Sequence, residues 1–287
     1  MRKVKTFFFS FVPFLLGIGI QYIAVFYLMF LAAIFMFAVA PALTGNSTSF
    51  NDFIDLMMDL NFNALASIIF SVSCIVIFGI WYYKSCGGNY KFHVKKDFHP
   101  LQLVGILVMV PATQFATSLL VGIISTAFPK WLEEYNELME AAGLGADTPI
   151  PLLMMIYSVC LAPFSEEILF RGVTMRIARR AFPFWIANIL QALLFGIFHM
   201  NILQGCYAFA LGLILGYVCE RGGSIYYSIF FHFLFNLWGT TVSGLLEKVD
   251  PMILGMVILF SVFILLPVGI LLYHQGIKKK QIANLTL

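Results

Sequence analysis

Read from its amino end, the chain alternates long apolar runs with short polar breaks. Runs fit to cross a bilayer, for which a helix needs about 17 to 25 residues, recur at 7–39, 61–83, 101–127, 150–175, 183–199, 202–219, 224–245 and 252–273. The pattern predicts an all-α, polytopic membrane protein of about eight transmembrane helices. Residues 1–287 read as a single membrane domain, without a 20-to-50-residue repeat or a low-complexity tract.

Composition agrees. The chain is 61% hydrophobic and 11% charged, against roughly 45 to 50% and 25% in soluble domains. Membrane lipid is the implied surrounding, and no nucleic-acid partner is expected. The basic start MRKVK and the small residues AVA at 38–40 resemble a signal peptide. The apolar stretch between them far exceeds the roughly 7 to 15 residues of such peptides, so it reads as an uncleaved first span that tilts or overhangs. Cys74, Cys86, Cys160, Cys206 and Cys219 are odd in number and scattered, and read as small packing residues rather than a disulfide framework or a thiolate zinc site.

Charge orients the spans. With the N-terminus in the cytoplasm, Arg2, Lys3, Lys5, Lys84, Lys91, Lys95, Lys96, Arg176, Arg179, Arg180, Arg221 and Lys278 to Lys280 fall inside. Lys130 and Lys248 fall outside, with most of the acids. The positive-inside rule therefore predicts a multi-pass protein of the cell membrane with both termini cytoplasmic. The basic loop 84–100 reads as an orientation signal or a contact for anionic lipid. In 129–143, Trp131, Leu132, Tyr135, Leu138 and Met139 recur at helical spacing among acids. That segment reads either as a surface helix capping a site or as a solvated connector. Asn46-Ser47-Thr48 and Asn284-Leu285-Thr286 match the glycosylation sequon.

Few ionisable residues remain within the spans: Glu166, Glu167, Arg171, His199 and His232, beside amides such as Asn188, Gln191, Gln204 and Asn236. A charge at membrane depth costs at least ~2.5 to 3.5 kcal/mol, so such residues mark a functional site by default. Glu167 and Arg171 lie four apart on one helical face, in the favoured order for an ion pair. Glu166 is rotated about 100 degrees away and is left without a partner, roughly 15 Å from Arg176 along the helix. A buried carboxylate without a counter-ion is a candidate general base. In the competing account Pro163 breaks the span, Ser165 caps a new helix and both glutamates complement its dipole.

That account leaves the histidines unexplained. His232 and Asn236 share a helical face, and an imidazole and an amide so spaced can donate two hydrogen bonds to one oxygen, as an oxyanion site requires. A lone histidine in an apolar helix is more often structural. Two on separate spans, with a spare glutamate on a third, point to a site. Depth suits His232, about 12 Å in, better than His199, which ends its span and reaches that depth only if the helix tilts or stops within the membrane. The neighbouring Asn201 and Gln204 suggest a wet cavity there. Phe230, Phe231, Phe233 and Phe235 read as lipid-facing, or else as the lining of a groove.

The ordered motifs Glu166-Glu167-xxx-Arg171, Phe195-xxx-His199 and His232-xxx-Asn236 resemble the CPBP family of intramembrane proteases, also called Abi or CAAX-protease-like. The resemblance covers about residues 150–245 and makes that region the expected catalytic core. It implies an intramembrane endopeptidase in which Glu166, helped by His199, activates water, His232 and Asn236 form the oxyanion hole, and Glu167 and Arg171 support the geometry. It also implies no cofactor, with cleavage near the cytoplasmic side of the membrane. The implied partner is a peptide or lipidated protein, among them a prenylated tail or a bacteriocin or pheromone precursor. Alternatives stay open: a His₂Glu zinc set of Glu166, His199 and His232; a non-proteolytic immunity or signalling partner; and a transporter, against which the lack of inverted repeats speaks.

Overall fold

The computed structural model describes residues 2–45, 48–59, 61–85, 98–142, 144–145, 150–246 and 248–285. Their regular structure is helical, with no strand among the described residues. The main helices are α1 (Lys3–Ala42), α2 (Phe50–Asp59), α3 (Phe62–Ser85), α4 (Pro100–Ala127), α5 (Pro129–Ala141), α6 (Leu152–Arg179), α7 (Phe184–Phe198), α8 (Ile202–Gly222), α9 (Ile225–Thr241) and α10 (Pro251–Gln281). Helices α1, α3, α4, α6, α8 and α10 are long and apolar enough to cross a membrane, and the protein is an all-α, multi-pass membrane protein.

The expected spans at 183–199 and 224–245 are the shorter helices α7 and α9. Their 15 and 17 residues reach about 22 and 25 Å, short of a hydrocarbon core of about 30 Å. The AVA at 38–40 lies within α1, which passes through a π turn at Phe35–Val39. Helix α2 occupies a stretch that reads as loop. It starts at a capping box: the Asp52 carboxylate accepts the Ser49 N–H at 2.6 Å, and the Asp52 N–H is donated to the Ser49 hydroxyl at 3.2 Å. Cys86, Lys91, Lys95, Lys96, Asp97, Asp147, Glu247 and the sequon residues Asn46, Ser47 and Thr286 lie outside the described residues. Cys74, Cys160, Cys206 and Cys219 are unpaired, and of these Cys74 is buried while Cys160 is exposed.

Contacts between distant segments define two ends of the bundle. At one end meet Phe7 and Phe182 (5.9 Å between rings), Arg179 and Glu220 (2.9 Å), and Lys280 with the Gly222 carbonyl (3.2 Å). At the other, the Asn63 amide donates to the Ala141 carbonyl at 2.7 Å, bringing α3 to the end of α5. Both chain termini belong to the first end.

Two apolar half-cores fill the bundle. Phe78, Leu169, Phe170, Phe195 and Phe198 join α3, α6 and α7, with α1 packed against them. Met109, Leu215, Tyr227, Phe231 and Tyr273 join α4, α8, α9 and α10. Helix α9 is thus interior, so Phe231 and Phe235 are buried and Phe230 and Phe233 half-buried, rather than lipid-facing. Small residues set the α7–α8 contact: a Cβ on Gly196 would sit 2.6 Å from the Gly205 carbonyl oxygen, and one on Gly212 about 3.0 Å from Ala192. Close backbone approach through small residues is the usual way helices pack in lipid.

Candidate active site

The site begins in α6, which runs unbroken through Pro163. The account in which Pro163 ends one helix and Ser165 caps another fails, because the Ser165 hydroxyl donates back to the Ala162 carbonyl at 3.0 Å and caps nothing. Instead α6 changes pitch twice, with π turns at Tyr157–Leu161 and Ile168–Met175. The first lies just before Pro163 and accommodates the imino residue, which cannot donate to the turn behind it.

Glu167 and Arg171 pair at 2.8 Å, fully buried, with exposures of 0% and 1%. The guanidinium also donates to the Gly212 carbonyl at 3.3 Å and lies 4.5 Å from the centre of the Phe195 ring. Gln191 donates to the same Gly212 carbonyl at 2.9 Å and to Asn188 Oδ1 at 2.8 Å, while Asn188 Nδ2 donates to the Leu213 carbonyl at 3.0 Å. The amides of α7 that stand out in the sequence thus fasten α7 to α8 behind the arginine.

Glu167 Oε1 also accepts a hydrogen bond from His232 Nδ1 at 3.0 Å. Since Arg171 holds Glu167 as a carboxylate, the proton of this bond belongs to the imidazole, and His232 Nε2 points the other way. It lies 3.8 Å from Glu166 Oε2. His232 therefore stands between the two glutamates and links the two half-cores through α6 and α9.

A polar cavity of about 490 Å³ opens beside this chain. Glu166, His199, His232 and Asn236 all line it, and Glu166 is the one carboxylate among its described lining residues. The other members, Glu167 and Arg171, stand behind the wall. His199 Nδ1 is 2.8 Å from the Phe195 carbonyl. The neighbour of Glu166 is thus His232, in the place where His199 is expected from the motif order. His199 reaches the cavity because α7 stops at Phe198 and the chain reverses through Met200 at φ 53. Asn201 is the N-cap of α8, its side chain accepting the Gln204 N–H at 2.9 Å, and does not line the cavity, whereas Gln204 does. Asn236 Nδ2 donates to the Ser158 carbonyl of the first π turn at 2.7 Å.

Tyr157, Tyr207, Gln114 and Thr117 also line the cavity. Sequence reasoning passed over them because uncharged polar side chains are common in spans and neither spacing nor a partner marks these four. Tyr135 and Met139 of α5 close its upper part, with the Tyr135 and Tyr207 rings edge to face at 6.3 Å, so Pro129–Ala141 is a helix over the site. The cavity accordingly extends towards the bundle end opposite the start of α1 and the end of α10. Glu166 sits near the middle of α6, so its distance from Arg176 does not choose a side. Among the described residues no three His, Cys, Asp or Glu side chains group as a metal site.

Residues 148–238 match the family model described as type II CAAX prenyl endopeptidase Rce1-like. Neither a curated protein nor a solved structure matches the chain.

Proposed function

We propose, on the premise that residues 148–238 are a domain of the CAAX prenyl endopeptidase family, a family of peptide hydrolases, that Glu166 is the base of a water-activating intramembrane protease. The observation that carries this reading is the split of the adjacent glutamates. One is neutralised by Arg171 behind the wall, while the other faces the cavity with the His232 imidazole beside it. A carboxylate so placed takes a proton from water as the oxygen attacks a peptide carbonyl, and returns it to the leaving amine.

The oxyanion formed needs donors. A proton on His232 Nε2 supplies one, the opposite nitrogen being held by Glu167. Asn236 has two N–H bonds on Nδ2; Ser158 holds one and the other is free for the substrate oxygen. Where Nδ1 of His199 donates to the Phe195 carbonyl, Nε2 is left as an acceptor that orients the water. The substrate class that fits the family is a membrane-held peptide or prenylated protein, and a metal has no part in these steps. With the termini in the cytoplasm, as the charge bias directs, the cavity lies towards the outer face, beneath α5.

Purified protein in detergent, offered a mixed peptide library, tests the reading. Product is expected from the wild type with a chelator present, and Glu166→Gln is expected to lower kcat by roughly 10²- to 10⁴-fold. Loss of product on chelation would move the assignment to a metalloprotease; full activity in Glu166→Gln would remove the role of Glu166.

A further inference from the structure

We infer that Pro163, outside the three motifs, is a positioning residue that sets the Asn236 amide by leaving the Ser158 carbonyl without a helical donor. The inference rests on the oxyanion role proposed for Asn236.

In an α-helix the Ser158 carbonyl would accept from the N–H of residue 162, and in a π turn from that of residue 163. Both are denied to it. The Ala162 N–H is donated to Tyr157, five residues back, and Pro163 has no N–H. A carbonyl at membrane depth does not stay unpaired without cost, and here the partner comes from another helix: Asn236 Nδ2 donates to it at 2.7 Å. This bond does more than satisfy the oxygen. An amide on a helix turns about two side-chain torsions, and anchoring one N–H fixes the plane of the other, which faces the cavity containing Glu166 and His232. Glu166 lies three residues beyond Pro163 on the same helix, so a single imino acid sets the base and the oxyanion donor in mutual register.

Pro163→Ala supplies an N–H whichever pitch the helix then adopts. If the π turn persists, the new N–H of residue 163 reaches the Ser158 carbonyl. If it relaxes to α, the Ala162 N–H does. Either donor competes with Asn236 and frees its side chain to rotate.

The test is a double-mutant cycle of Pro163→Ala and Asn236→Ala in the full-length protein in detergent, on any peptide the wild type cleaves. Asn236→Ala is expected to lower kcat by about 10²- to 10³-fold, as loss of an oxyanion donor does. Pro163→Ala is expected to lower kcat about tenfold, with KM and the pH profile of kcat/KM unchanged, and to add nothing in the Asn236→Ala background. A wild-type kcat in Pro163→Ala, a loss that multiplies with that of Asn236→Ala, or a shifted pH profile, which would mean that Glu166 had moved, overturns the inference. Undiminished activity in Asn236→Ala instead overturns the oxyanion reading on which it stands. Pro163→Ser introduces the same N–H and carries the test should the alanine variant fail to fold.

Discussion

Glu167 holds the site together while touching none of the cavity. One of its oxygens binds a guanidinium and an imidazole from two helices, which is what a buried carboxylate requires to stay ionised. Removing one partner of a buried ion pair typically costs about 3 to 5 kcal/mol, because the other charge is left without compensation. Arg171→Leu is accordingly expected to unfold at a markedly lower temperature than the wild type. Labelling of the buried Cys74 thiol during a thermal ramp in detergent measures it directly. Glu166→Gln, which leaves that pair untouched, is expected to stay near the wild-type midpoint while losing turnover. The pairing of Arg171 with Glu167 and not Glu166 was legible from spacing alone, since four residues put Glu167 above Arg171. The contact between His232 and both glutamates was not, because nothing in one chain's order reveals which faces of α6 and α9 meet.

Helix pairing decides whether these residues meet at all. The α7–α8 hairpin carries His199 to the cavity, and its closeness depends on Gly196 facing Gly205. A side chain at 196 must displace backbone rather than a flexible side chain. Gly196→Val is therefore expected to separate the helices, lowering the thermal midpoint and abolishing cleavage together, as a melting curve and a turnover assay on one preparation would show. The positions of the helices follow from apolar run length, and α2 escaped notice because its capping box sits in a short, mostly polar stretch. The π turns of α6 lay beyond sequence reasoning for a different reason. Pro163 announces that a hydrogen bond is missing, but whether the helix stops, kinks or widens depends on whether another helix offers a donor. Here Asn236 does.

At the scale of the whole molecule, the two half-cores and the two ends give the protein a direction in the membrane. On the charge bias the termini are expected in the cytoplasm and α5 outside. Glu137, exposed on α5, and Lys279, exposed near the end of α10, offer the comparison. In a background lacking the native cysteines, Glu137→Cys is expected to react with a membrane-impermeant maleimide on intact cells, and Lys279→Cys only after lysis; the reverse pattern would invert the topology.

The shortness of α7 also carries a consequence for the lipid. Beside it, between α7 and α8, lies an apolar recess of about 450 Å³ that includes Leu193, Ile197, Met200 and Phe209. A helix of about 22 Å cannot span an undisturbed bilayer of about 30 Å, so the surrounding lipids must thin or fill the recess, at fractions of a kcal/mol per ångström of mismatch. Acyl-chain length thereby becomes a mechanical load on the very hairpin that holds His199.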